Sequence, residues 1–339
     1  MCHVRTHLSR RARALSRTML CRWREAARPP RSAGSRAPTA RWHPDRFLAG
    51  ANLPWVSYGN DFGASAWYPR GGLAASPAAQ EAADRALARA ADEGLEIVRW
   101  FVLCDGRAGV RFGERGIPIG LDDRVPADLE AAMDVSYRRG VRLLLVLFDF
   151  HWCLPERRVS GVQLGGRRNT IAGGSARAAL AERVVVPLLE RFGREPAVFG
   201  WDLFNEPEWI TWGFGGRGCR RLAPWLVRDW LAGLVRVARA SAEQPVTVGL
   251  ASAGGLPLCR GLGLDFYQVH WYEHIEDEAP LDRPVARLGL DRPLVLGEFP
   301  ARGPRSPSAS FEAARGAGYA GALLWSLLAR DAASGPPRT

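Results

Sequence analysis

The sequence predicts an α/β chain folded as a closed (β/α)8 barrel of the TIM type, and three observations carry that reading. Short apolar runs alternate with helical segments from about residue 43 to residue 332. Such alternation is the signature of a parallel sheet wrapped by helices. Eight such runs are present, which fits the usual size of ~250 residues for a closed barrel plus insertions. Finally, Asn52-Leu53-Pro54-Trp55, after the first run, is not the glycine-rich phosphate loop that an open doubly wound sheet favours there.

The elements follow in order. The first strand is expected near Phe47–Asn52, followed by an aromatic loop carrying Trp55, Tyr58, Trp67 and Tyr68. Ser76-Pro77 reads as a helix start, a serine N-cap before a proline in the first turn, and Gly94 as its stop. Strand two is Ile97–Leu103, helix two Ala127–Arg139 and strand three Arg142–Phe148. Helix three spans Ser175–Phe192. Strand four begins near Val198 and is apolar almost throughout, as expected of a strand buried on both faces. Pro207, which lacks an N–H for the ladder, stops it. Helix four covers Pro224–Ala240, and strands five to eight are Val246–Leu250, Phe266–His270, Leu294–Gly297 and Gly321–Trp325. The units after strands five and six are weakly helical, and the eighth helix is short or missing, with only Ser326–Ser334 before Gly335-Pro336-Pro337.

The net charge of +11 resembles a nucleic-acid signal until it is located. Residues 1–41 hold eleven arginines and one acid, so nearly all of the excess belongs to an Arg-rich tail, residues 1–42, expected to be disordered. The barrel itself is close to neutral, and no nucleic-acid partner is expected. Arginine carries every positive side-chain charge, since the chain has no lysine. No stretch approaches the ~20 apolar residues of a membrane span. Ser9-Arg10-Arg11 hints at a twin-arginine start, but the apolar segment that should follow is broken by arginines. As read the chain stays in the cytoplasm, and a different start site opens an extracellular reading. None of the six cysteines forms a Cys-x-x-Cys pair, which argues against a structural zinc site, and a Cys104–Cys153 disulfide stays open. His270 and His274 lack a third ligand at suitable spacing, so no metal and no cofactor are expected. A monomer is expected.

The chemistry sits at the strand ends. Strand one ends at Asn52, strand two carries Arg99 and Trp100, and strand three ends Asp149-Phe150-His151-Trp152. Strand four ends Asn205-Glu206, strand six His270-Trp271-Tyr272, strand seven Glu298 and strand eight Trp325. Closing the barrel gathers these residues on the face where barrel enzymes place their catalytic groups. Two glutamates there suit glycoside cleavage: one protonated to release the leaving oxygen, the other ionised to attack carbon or activate water. Nearby carboxylates push each other's proton affinities apart, and an arginine such as Arg99 holds one of them ionised. Trp55, Trp152, Trp209 and Trp271 are candidates for stacking on sugar rings.

These residues resemble clan A of the glycoside hydrolases, most closely glycoside hydrolase family 5, the cellulase-like family, over about Phe47 to Trp325. The resemblance implies that Glu206, in Asn205-Glu206-Pro207, is the acid/base and that Glu298 is the nucleophile of a retaining double displacement. It also implies that Arg99 and Tyr272 orient Glu298, that Asn205 bonds the sugar 2-OH, and that His151, His270 and Trp325 line the subsite. The expected substrate is a β-linked glucan or mannan. Two alternatives stand beside it: an exo-acting β-glycosidase or transglycosylase on short oligosaccharides or glycoconjugates, and a carbohydrate-binding barrel without turnover.

Overall fold

The computed structural model describes residues 46–214, 218–219, 221–272, 281, 283–303 and 305–328. The expected Arg-rich tail, His274 and most of the expected final helix lie outside these residues. Eight parallel strands close into a barrel. In chain order they are β1 (Leu48–Asn52), β2 (Ile97–Phe101), β5 (Arg142–Val146), β8 (Val198–Asn205), β9 (Val246–Leu250), β10 (Tyr267–His270), β11 (Leu294–Pro300) and β12 (Gly321–Trp325). Each pairs with the next, and β12 returns to β1 with Leu48 opposite Gly321. All eight expected strands are present; β1, β2, β5 and β10 are one or two residues shorter at one end than expected, and β11 runs three residues further, to Pro300.

The helices follow from their end signals. Helix α1 (Pro77–Asp92) is capped by Ser76, whose side chain accepts from the Ala79 N–H. Helix α2 (Val125–Arg139) ends at Gly140, which takes the left-handed conformation that glycine adopts without steric cost. The third expected helix is α3 (Gly174–Leu180) and α4 (Val186–Phe192), joined through a π-helical turn at Ala181–Val185. Helix α5 (Pro224–Ser241) buries Val227, Trp230, Leu231, Leu234 and Ala238, a stripe at helical spacing against the barrel wall. Helix α6 (Pro307–Ala317), which the sequence reading leaves unassigned, starts at a Ser306 cap and precedes β12.

Two antiparallel hairpins were also not expected. One joins β3 (Val110–Phe112) to β4 (Pro118–Leu121), and the other β6 (Arg157–Val159) to β7 (Val162–Leu164). Their three- and four-residue strands are too short for a period-2 pattern to register. They rise from the loops after β2 and β5 and build one flank of the barrel mouth.

Alternation along β2 separates the barrel's two sides. Val98 and Trp100 pack in the main core with α1 and α2 residues such as Leu87 and Leu129, whereas Ile97 joins Leu48, Leu144, Phe199, Val295 and Leu323 from five other strands. Arg99, between Val98 and Trp100, therefore points inward. The long first loop is held by two buried carboxylates. Asp61 accepts from the N–H groups of Val56 and Ser57 and from Trp100 Nε1. Asp128, on α2, accepts from those of Gly63, Gly72 and Ala74.

Candidate active site

Barrel closure brings residues from six strands to one point. Arg99 is fully buried, and each of its five N–H groups has an acceptor. Nε and Nη2 both bond Asp202 Oδ2 (2.9 and 2.8 Å). Nη1 bonds Asn52 Oδ1 (3.1 Å) and Glu298 Oε1 (2.7 Å), and Nη2 also bonds Asn205 Oδ1 (2.7 Å). Burial works against the guanidinium charge, but Asp202 and Glu298 outweigh it and hold Arg99 above its ordinary value. Asp202 additionally accepts from Gln268 Nε2 (2.7 Å) and the Gly249 N–H (2.9 Å). Gly249 must be glycine here: a Cβ would sit 2.6 Å from Gln268 Nε2 and 2.7 Å from Arg99 Nη2.

Glu298 receives Arg99 on one oxygen and the Tyr272 hydroxyl on the other (2.8 Å). Burial pushes its carboxyl up from the ordinary carboxylate value; His270, Arg99 and Tyr272 pull the other way, while Glu206 adds to the rise. Two donors on two oxygens is the pattern an ionised carboxylate satisfies in full.

Glu206 lies just past the end of β8 in the left-handed region (φ 52°), held there by its N–H bond to the Gly249 carbonyl (2.6 Å). A non-glycine residue in that conformation carries roughly 1–3 kcal/mol of strain and persists only where its surroundings fix it. Its Oε2 accepts from Trp209 Nε1 (2.8 Å), and its Oε1 faces His270 Nδ1 at 2.9 Å. His270 Nδ1 also lies 3.5 Å from Glu298 Oε2, so the imidazole bridges the two glutamates. One proton between Glu206 Oε1 and His270 Nδ1 satisfies both atoms, whichever of them carries it.

On the β5 side, Asn205 Nδ2 donates to Asp149 Oδ2 (2.7 Å). Asp149 also accepts the backbone N–H of His151 (2.8 Å) and pairs with its imidazole. Burial opposes the Asp149 charge, but His151 and Asn205 hold it below the ordinary value; His151 is raised, Asp149 overcoming the effect of its burial. Tyr58 OH reaches His151 Nδ1 at 3.3 Å.

The structure therefore gathers Arg99, Asn205, Glu206, His270, Tyr272 and Glu298, with His151 one contact further out. Trp325 and Trp55 are half-buried and meet edge to face at 6.2 Å, and Trp271 is also half-buried. Two of the expected stacking residues are corrected. Trp152 has no exposed surface, lies 4.9 Å from the Phe148 ring and bonds Thr170 Oγ1 through Nε1. It is a core residue under the loop after β5. Trp209 is 8% exposed, and its Nε1 is committed to Glu206. Two 3-10 turns, Phe150–Cys153 after β5 and Pro207–Ile210 after β8, turn Trp152 and Trp209 inward, which strand periodicity does not reveal. Cys104, Cys153, Cys219 and Cys259 are free thiols, so no Cys104–Cys153 disulfide forms.

Sequence reasoning missed Asp202, Asn52 as a ligand of Arg99, Asp149 and Gln268. A signal existed for Asp202: a charged residue inside the apolar run Trp201-Asp202-Leu203 has to be paired. Glu208 was missed as well. It is buried behind Glu206, and burial, reinforced by the Glu206 charge, pushes it up to about 8. Glu206, His270 and Glu298 each offer a ligand atom, all within 4.8 Å of one another, so two carboxylates and an imidazole could in principle hold a cation. Their oxygens are already engaged by Arg99, Tyr272 and Trp209, a donor set suited to proton chemistry. No helix among the described residues is long and apolar enough to cross a membrane.

No family model matches the chain. It is similar to the mannan endo-1,4-beta-mannosidase of Mytilus edulis, 25% identical, with 83% of each sequence covered. Among solved structures it superimposes on an endo-1,4-beta-mannanase from Eisenia fetida with a TM-score of 0.67 at 24% identity, covering 83% of this chain and 85% of that one. A GH5_18 protein from Streptomyces cattleya in complex with Manb1-4GlcNAc superimposes with a TM-score of 0.59 at 16% identity, covering 83% and 71%. Taken with the bridged glutamates at the mouth of a closed parallel barrel, the mannanase relatives support a glycoside hydrolase, one similar to the enzymes of clan A and of glycoside hydrolase family 5.

Proposed function

We propose that this chain is a retaining β-glycosidase that cleaves β-1,4-linked mannan, with Glu298 as nucleophile and Glu206 as acid/base. The observation that carries the mechanism is the carboxylate separation. Oxygens of the two glutamates lie within 4.8 Å, close to the ~5–5.5 Å of retaining enzymes and short of the ~6.5–9.5 Å that an intervening water needs for inversion. The mannanase relatives support the sugar.

In this reading Glu298, kept ionised by Arg99 and Tyr272, attacks the anomeric carbon. The glycosidic C–O bond breaks as the proton shared between Glu206 Oε1 and His270 Nδ1 passes through Glu206 to the leaving oxygen. Glu206, now ionised, then takes a proton from water, which attacks the glycosyl-enzyme and frees Glu298. Asn205, locked between Arg99 and Asp149, presents the remaining N–H of its amide to the sugar 2-OH. Trp55, Trp271 and Trp325 supply apolar walls for the rings. Every group comes from one chain, so the site is complete in a monomer.

The test is hydrolysis of aryl β-mannoside, aryl β-glucoside, soluble mannan and soluble glucan by the wild type beside Glu298→Gln. Turnover of mannan into fragments of several lengths, lost in the variant, is the expected outcome. Release of single sugars alone would shift the reading to exo action, and silence on all four substrates in folded protein would overturn it.

A further inference from the structure

The two unexpected hairpins enclose a cavity of about 560 Å³ beside the barrel mouth. That is ample for a sugar ring and its substituents. Its wall carries four arginines, Arg107, Arg115, Arg158 and Arg167, against a single carboxylate, Glu156. Two of the charges are matched within the protein. Arg107 forks onto Asp105 behind the wall (2.8 and 2.9 Å), and Arg158 pairs with Glu156 (3.1 Å).

The other two are not matched. Among the described residues no carboxylate lies within 4.0 Å of Arg115 or Arg167. Arg167 is 7% exposed, and its guanidinium stacks on the Phe112 ring at 3.6 Å. Its side chain has one long bond, Nη2 to the Gly106 carbonyl at 3.4 Å, and its Nε is buried with no acceptor. Burial pushes its proton affinity down to about 10. A cation taken out of water without a counter-ion is costly, and such a group is normally paired. Arginine's planar fork is shaped to take the two oxygens of a carboxylate or sulfate.

The cavity also adjoins the site. The guanidinium of Arg107 lies 4.3 Å over the Tyr58 ring, and Tyr58 OH reaches His151. One side chain thus separates the cavity wall from the residues around the two glutamates. We propose that the cavity is an anion subsite that receives a carboxylate or sulfate group carried on the glycan, at a sugar away from the one being cleaved. The inference rests on the glycosidase reading above for its substrate, but not for the binding itself.

The test compares β-1,4-mannan oligosaccharides with the same oligosaccharides oxidised at C6 to carboxylates. For the wild type, kcat/KM on the oxidised glycan is expected to exceed that on the neutral one about tenfold. In Arg167→Met, which keeps the stem on Phe112, and in Arg115→Ala, at an exposed position, the ratio is expected to collapse toward one. Equal rates on the two glycans in the wild type, or a preference that survives both substitutions, overturns the proposal. Calorimetry separates it from the catalytic reading. The oxidised oligosaccharide should bind Glu298→Gln at least about tenfold more tightly than the neutral one, and lose that advantage when Arg167→Met is added. That binding result beside a wild type that cuts neither glycan would support the subsite while the mannanase reading fails. Inorganic sulfate bound in an Arg167-dependent way, without any preference for the oxidised glycan, would mark a free-anion site and overturn the assignment to glycan.

Discussion

Arg99 and Glu298 meet at 2.7 Å with no exposed surface on the arginine, and the guanidinium that holds Glu298 is itself anchored by Asp202 from the opposite side. The orientation of Glu298 therefore depends on a residue that never faces the cleft. Replacing Asp202 by Asn leaves Arg99 partly uncompensated in the barrel interior. Breaking one side of a buried, hydrogen-bonded pair costs about 3–5 kcal/mol. Urea unfolding of Asp202→Asn should show a loss of that order, accompanied by a fall in kcat. A loss below ~1 kcal/mol, typical of exposed pairs, would mean that Asp202 does not anchor Arg99.

Removal of the proton donor has a distinct signature. Glu206→Ala is expected to keep cleaving an aryl mannoside with a good leaving group, because that group departs without a proton. Azide should speed its second step by replacing the water that Glu206 no longer activates. Equal losses on activated and natural substrates, with no azide effect, would count against Glu206 as acid/base.

Glu208 gives the fold a pH dependence. Its value of about 8 in the folded protein lies above the ordinary 4.5, so folding favours the protonated form. The stability it contributes is full below about 4.5 and is lost as the pH rises toward 8, by up to ~1.4 kcal/mol per pH unit. Other groups titrate over the same range, so the informative quantity is a difference between proteins. Between pH 5 and pH 8 the wild type should lose at least about 2 kcal/mol more unfolding free energy than Glu208→Gln. Parallel pH curves for the two would refute the buried-neutral state of Glu208.

The tryptophans separate by the same logic of burial. Trp152→Ala empties a packed site and should lower stability by roughly 3–5 kcal/mol. Trp55→Ala removes a half-buried face at the mouth and should raise KM for mannan several-fold with little change in Tm. The reverse pattern, a KM effect from Trp152 and a folding defect from Trp55, would show that Trp152 is the stacking residue after all.

The barrel and the residues at its rim are legible from the amino-acid order alone. Eight apolar runs separated by capped helices admit few other architectures, and a polar residue at the end of a buried strand, such as Asn205 or Glu298, has to face the mouth. The bounds of β9 and β12 match the sequence reading to the residue, because a short apolar run is a local signal. What tertiary structure decided is everything that depends on contact across the barrel. Asp202, a charge inside an apolar run, signals a partner without naming it, and only closure brings Asp202 to Arg99, Gln268 to Asp202 and Asp149 to Asn205. Whether a loop tryptophan faces sugar or core is likewise not periodic: Trp152 and Trp209 turn inward because 3-10 turns redirect the chain just beyond the strands. The β3–β4 and β6–β7 hairpins, too short to leave a hydrophobic pattern, shape the flank where Arg115 and Arg167 stand without a partner carboxylate. Local propensity is written residue by residue, whereas the partner of a buried charge is supplied by a distant chain segment, as Asp202 is for Arg99 and Asn205 for Asp149.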